Sequence, residues 1–378
     1  MDRTSLPPEI QFMILKHLAS GNNIAQYATS YDCSECNQYE SEYEHRTTAV
    51  AVKDGIRTMF QTLRKSSHSG DMTLDLSIYS PSDAEHYFKY IRFEPANVLS
   101  RNRMREQATP RCSTQHVAMP PCCQQGLWRI LFMDFDASGH ETSESGGEFW
   151  ASVPQVSCVT RLLLRRETRR LWDLIAISRL SAHFPNLEDL VIEPWSAGVN
   201  EIEMDTDKRW TDLVFPSLIP NNLRRMTLFE DFSEAYDPRN TLYVLEHQVY
   251  PAFGTEIAQL VDLFSDYQYT RAIRIVSARL TRALAEASLG LQHLSVAFMT
   301  DARLFWGVRR DWVWEHLQTL ALTSQDLEQH NDPRKIEHVL YSAAGAVKKM
   351  PKLQTMELWN GGKGHAALFR YNSNRGRR

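Results

Sequence analysis

From about residue 150 onward one short pattern returns six times: an apolar residue, two others, an apolar, one other, an apolar. Its instances are Val159/Leu162/Leu164, Leu187/Leu190/Ile192, Leu223/Met226/Leu228, Leu291/Leu294/Val296, Leu317/Leu320/Leu322 and Leu353/Met356/Leu358. Successive starts lie 28, 36, 68, 26 and 36 residues apart, and the interval of 68 leaves room for one degenerate copy. A motif that recurs at such intervals is one small unit used repeatedly. No copy can bury its own apolar face, so the copies must stack on each other and share one continuous core.

Between the motifs lie segments with helical apolar spacing. Arg169 to Phe184 carries Leu171, Trp172, Ile175, Leu180 and Phe184; Thr270 to Ser288 carries Ile273, Val276, Leu280 and Leu284; Lys335 to Met350 carries Ile336, Val339, Leu340, Ala343 and Val347. A short strand whose return path is a helix fits a leucine-rich-repeat unit. The expected fold class is therefore α/β, an irregular leucine-rich-repeat-like solenoid of parallel strands with return helices over residues 151–378. A non-repetitive α/β domain in which the motif arises by chance is the alternative.

Two further regions precede it. Residues 1–30 open with Leu6-Pro7-Pro8-Glu9, proline and glutamate suiting a first helical turn. Ile10, Met13, Ile14, His17 and Leu18 then share one helical stripe that Gly21 ends. Residues 31–150 form a linking α+β region, with a helix predicted over Thr47–Leu63, a strictly alternating strand over Met72–Tyr79 and a helix from Pro81 to about Ile91. Prolines and absent periodicity predict flexible loops near 96–126 and 137–147, with a helix or strand from Leu127 to Phe135 between them.

The chain has 378 residues, 42 basic against 46 acidic, giving a net charge of -4. No strong phosphate-seeking field results, so nucleic acid is not the expected partner. Glu9, Lys16 and His17 interrupt any export signal, and no window approaches the ~18 apolar residues of a membrane span. Six cysteines without an export signal suggest free thiols in cytosol or nucleus.

Chemical motifs are incomplete. Cys33-x-x-Cys36 has zinc-ligand spacing, but Cys112, Cys122 and Cys123 lie far off without a second pair. Asp134-x-Asp136-x-Ser138-Gly139 begins like a calcium loop, yet Ser145 stands where the bidentate glutamate belongs. Asn360-Gly361-Gly362-Lys363-Gly364 lacks the spacing and hydroxyl of a phosphate loop and reads as a turn after the last repeat strand. No nucleophile elbow or zinc-protease helix is present, no cofactor is expected, and the chain is read as a non-enzyme. A metal-dependent enzyme using Asp134, Asp136, His140 and Glu141 is the rival from another class.

If the strands stack in register, the positions between the motif leucines point away from the core, in rows. These rows hold Arg161, Arg165, Asp189, Arg225, Phe229, His293, Glu357 and Trp359, the expected substrate-binding residues. Arg161, Arg165, Arg166, Arg169 and Arg170 form the one basic cluster, either a solvated edge or a site for an acidic segment. Phe229 and Trp359 either meet a partner or pack against loops.

Leu6-Pro7-Pro8-Glu9-Ile10 with Met13, Ile14 and Leu18 resembles the opening helix of an F-box, a module that commonly precedes leucine-rich repeats. The chain as a whole looks like an uncharacterised fungal group of such proteins, through Tyr79-Ser-Pro-Ser-Asp83, Phe88-Lys-Tyr-Ile91 and Met350 to Gly361. The resemblance implies a substrate receptor of a cullin-RING ubiquitin ligase, Leu6, Pro7, Pro8, Glu9, Ile10, Met13, Ile14 and Leu18 docking a Skp-type adaptor and the repeats holding an unknown protein. The sequence departs from the F-box after Ala28: Ser30-Tyr31-Asp32-Cys33 follows, and no tryptophan occurs before Trp128, so the module is read as truncated. A repeat scaffold without a ligase role is the alternative.

Overall fold

The repeated motifs become strands. A computed structural model describes residues 9–11, 42–65, 72–76, 130–131, 149–166, 171–196, 200–218, 222–230, 276–307, 311–327, 333–362 and 365–373. The six motifs supply β4 (Val159–Leu164), β6 (Asp189–Ile192), β7 (Arg225–Phe229), β8 (His293–Ala297), β9 (Thr319–Thr323) and β10 (Thr355–Gly362). Each pairs parallel with the next, and the register aligns Leu162, Leu190, Met226, Leu294, Leu320 and Met356 in one row. Leu164, Ile192, Leu228, Val296, Leu322 and Leu358 form a second row. All twelve side chains are buried.

The first residue of the motif has a separate task. Leu187, Leu291, Leu317 and Leu353 each donate their N–H to the carbonyl three residues back, at Phe184, Ser288, Trp314 and Met350, closing a tight turn between helix and strand. The residue after each of these leucines, and after Leu223, continues a backbone ladder from unit to unit. Glu188 donates to Thr160, Arg224 to Glu188, Gln292 to Arg224, Gln318 to Gln292 and Gln354 to Gln318, all at 2.7–2.8 Å. The units are thus joined through main chain as well as core.

At one edge β1 (Glu9–Gln11) and β2 (Met72–Asp75) extend the same parallel sheet, β2 on β4 and β1 on β2. At the other, β11 (His365–Asn372) turns back antiparallel on β10. The nine strands lie in chain order, so every new strand is added to the same edge. Crossovers of one hand repeated in one direction place the described return segments on one side. Those segments are α2 (Leu174–Ala182), α3 (Asn200–Arg209) with a π turn over Trp210–Val214 and α4 (Phe215–Leu218), α5 (Ala278–Ala287), α6 (Ala302–Gly307) and α7 (Pro333–Val347). Neighbours α2–α4, α4–α5, α5–α6 and α6–α7 pack in one layer.

Local signals explain the helix ends. The carboxylate of Asp173 accepts the N–H groups of Ile175 and Ala176 at 2.8 and 3.2 Å, starting α2 as an N-cap. Ser277 caps α5 through the Leu280 N–H. Pro333 opens α7, where its missing N–H costs nothing. The 24-residue helix α1 (Glu42–Lys65) buries Ile56, Met59, Phe60 and Leu63, and its Phe60 ring stacks on Phe184 with centroids 5.2 Å apart.

Several expectations are corrected. Glu9 and Ile10, expected in a first helical turn, pair as a parallel strand, extending the edge that β2 offers. Leu171 and Trp172, expected in a helix, form β5 and pair with β3 (Ile130–Leu131), because the Asp173 cap starts the helix only beyond them. β7 lies directly beside β8, so the 68-residue interval inserts no further strand between them. Leu6, Pro7, Pro8, Met13, Ile14 and Leu18, the helix expected at 81–91, the loops near 96–126 and 137–147, Cys33, Cys36, Asp134, Asp136, His140 and Glu141 lie outside the described residues. No described helix is long and apolar enough to cross a membrane.

Candidate functional site

With the described helices on one side, the opposite side of the sheet carries the residues between the motif leucines. Cross-strand register groups them into three rows. The first is Thr73, Arg161, Asp189, Arg225, His293, Thr319, Thr355 and Asn372. Asp189 is its pivot: one carboxylate oxygen, Oδ2, lies 3.1 Å from Nε of Arg161 and 3.0 Å from Nε of Arg225. The two guanidinium groups are about half exposed, at 47% and 50%, over a carboxylate exposed by only 9%. His293 follows, its Nδ1 2.8 Å from the Thr319 hydroxyl. Burial and then the Arg225 charge push His293 below the ordinary imidazole value, while Asp189 pulls the other way.

The second row is Asp75, Leu163, Val191, Thr227, Ser295, Ala321, Glu357 and Arg370. Its charges are matched locally, Arg370 Nε meeting Glu357 Oε1 at 2.7 Å and Arg165 of the next row reaching Asp75 at 2.8 Å. Exposed pairs of this kind contribute ~0–1 kcal/mol each, so they fix side-chain direction more than stability.

The third row lies at the C-terminal ends of the strands and is aromatic. Arg166 sits over the Phe229 ring at 5.3 Å, Phe229 meets Phe298 edge to face at 5.7 Å, and Phe298 meets Trp359 edge to face at 5.3 Å. Phe298 bridges rings that belong to strands three places apart, β7 and β10. To do so it leaves β8 with φ 64°, the one non-glycine residue with positive φ among those described. A bulky side chain in that conformation costs ~1–2 kcal/mol and must be held from outside. Its N–H donates to the Thr323 hydroxyl at 2.8 Å, which in turn donates to the Thr300 carbonyl at 3.4 Å.

Beneath it Asp301, almost fully buried, accepts the N–H groups of Arg303 and Gln325 at 2.9 and 2.8 Å. The Arg303 guanidinium then spans Asp301 and Asp326 at 3.1 Å each. The two buried carboxylates and the exposed Arg303 together clamp the loop after β8 to the turn after β9.

All eight expected binding residues therefore lie on one face, and the geometry sorts them. Arg161, Asp189, Arg225 and His293 form one contiguous line, Phe229 and Trp359 join through Phe298, and Arg165 and Glu357 are engaged by Asp75 and Arg370. Asp189 is a buried counter-charge to arginines one strand away on either side, and Phe229 and Trp359 both meet Phe298 of the loop after β8. Phe298 was missed, since it lies outside the motif; the only sequence hint is its place directly after a repeat strand.

Residues 218–378, the stretch that holds β7 to β11, match a family of unknown function (DUF6546). No curated protein matches the chain. Among the described residues no group of three or more His, Cys, Asp or Glu comes together as a metal site. The described cysteine, Cys158, is buried against Leu63 and Met72, and burial pushes its thiol above the ordinary value, which suits packing more than reactivity.

Proposed function

We propose that this chain is a protein-recognition module, an irregular leucine-rich-repeat-like array whose open sheet face holds a partner protein. The observation that carries this reading is Phe298. A phenylalanine held at positive φ between Phe229 and Trp359 spends conformational energy to complete an aromatic strip on the solvent side, away from the core. Backbone strain of this kind clusters at ligand clamps, and aromatic and arginine side chains dominate binding energy at protein interfaces.

A role as substrate receptor of a cullin-RING ligase rests on the resemblance of Leu6 to Leu18 to an F-box helix. The strand at Glu9–Gln11 favours the scaffold reading, because residues paired in a sheet edge are not free to form that helix. Quantitative capture with the tagged full chain tests both parts. A specific protein partner should be held by the wild type and by Tyr341→Ser, a change on the highly exposed side of α7, and lost with Phe229→Ala/Trp359→Ala. Equal capture by all three rejects the open face as the recognition surface. Purified Skp-type adaptor added to the same chain should bind weakly or not at all; tight binding would restore the ligase reading.

A further inference from the structure

Resting on that reading, we infer that Arg161 and Arg225, converging over Asp189, form a subsite on the open face for a carboxylate side chain of the partner. The two guanidinium groups come from β4 and β7, and both place Nε on the same Asp189 oxygen, at 3.1 and 3.0 Å. Their outer N–H groups have no partner among the described residues, and both side chains stay about half exposed. Guanidinium presents planar donor forks matched to an oxyanion, so two of them side by side are a receptor for one more anionic group.

Charge counting selects the anion. Two cations over one carboxylate leave a single excess positive charge. One aspartate or glutamate of a partner cancels it. A phosphate dianion would leave an excess negative charge over the same pair, so a single carboxylate is the closer match.

The rest of the face extends the match. Arg225 and Phe229 are the ends of β7, four residues apart, a span of ~13 Å along the strand. Thr227 lies between them, with Ser295 beside it on β8. The partner segment therefore carries an acidic side chain over the arginine pair and an apolar one on the strip of Phe229, Phe298 and Trp359. An extended segment covers that distance in about four residues.

The test is a library of short random peptides displayed without phosphorylation and selected on the full chain. Enriched peptides should contain aspartate or glutamate together with an aromatic or large aliphatic residue. When these are resynthesised, acid-to-amide exchange in the peptide should weaken binding about tenfold or more, ~1.4 kcal/mol. Arg161→Gln/Arg225→Gln in the chain should do the same. Because that variant strands Asp189 and could harm the fold, Asp189→Asn is the second probe: it frees both guanidinium groups and should tighten binding of the acidic peptide several-fold. A purely structural ion triad predicts no such gain.

Peptides without acids, unchanged affinity in both variants, tighter binding of phosphoserine peptides than of their glutamate counterparts, displacement by RNA, or no enrichment would each overturn the subsite. Enriched peptides that lack acids but are lost with Phe229→Ala/Trp359→Ala would remove the subsite and leave the recognition face standing. Binding indifferent to every one of these changes would remove both.

Discussion

Phe298 and His293 are the residues whose local chemistry makes the sharpest claims. At φ 64° an alanine suffers the same backbone penalty as phenylalanine without its ring contacts, whereas glycine suffers none. Phe298→Gly should therefore be more stable than Phe298→Ala by ~1 kcal/mol in denaturant unfolding, the reverse of the usual order in regular structure. Equal stability, or alanine above glycine, would mean that the positive φ is not held in solution. His293 should titrate below ~6.5 when followed by NMR, and Arg225→Gln should move its midpoint up, since a repelling charge is removed and Asp189 is left to attract the proton. The unfolded chain takes up this proton first. Its contribution to stability is thus complete above about pH 6.5 and is lost as pH falls through the lowered folded value. A midpoint at or above the ordinary value would contradict the burial and charge environment of the first row. Little of this was legible from the sequence. The row position of Asp189 follows from the motif, but its burial depends on arginines 28 and 36 residues away, and the sign of φ at Phe298 is not written in a residue type that ordinarily avoids it.

At the scale of elements, the strand rows decide stability. Leu294 is 1% exposed in the middle of its row, flanked in register by Met226 and Leu320. Leu294→Ala should cost ~2–5 kcal/mol by equilibrium unfolding, whereas Tyr341→Ala, at a position 78% exposed, should change stability by less than ~0.5 kcal/mol. A Leu294→Ala variant as stable as wild type would break the assignment of that row to the core. The strands were the most legible elements because a period-two motif with two fixed apolar positions leaves no other face to bury. Helices were less so. The return segment over 200–218 escapes helical periodicity because its first ten residues are polar and the π turn displaces Trp210, Val214, Phe215 and Leu218 from regular spacing. Strand β11 also escapes, since it follows no repeat motif; its sequence signal was the glycine-rich stretch Gly361-Gly362-Lys363-Gly364 ahead of an alternating segment, half-buried Ala367, Phe369 and Tyr371 against the more exposed Leu368 and Arg370.

At the scale of the whole molecule, the described residues present two unlike sides. One is a layer of helices packed over the buried leucine rows, and the other is a sheet surface of arginine, hydroxyl and aromatic side chains set in register. The parallel, one-directional order of the strands favours this division, because crossovers of one hand carry their helices on one side. The central claim is that the sheet side is where a partner protein binds. Site-specific photo-cross-linking in the native cell tests it most directly, with the photoreactive residue at Ser295 in the middle of the sheet face and, for comparison, at Tyr341 on α7. The account predicts a discrete protein adduct from position 295 that disappears with Phe229→Ala/Trp359→Ala, and none from position 341. An adduct from position 341 alone, or one from position 295 that survives loss of both aromatic rings, would contradict it.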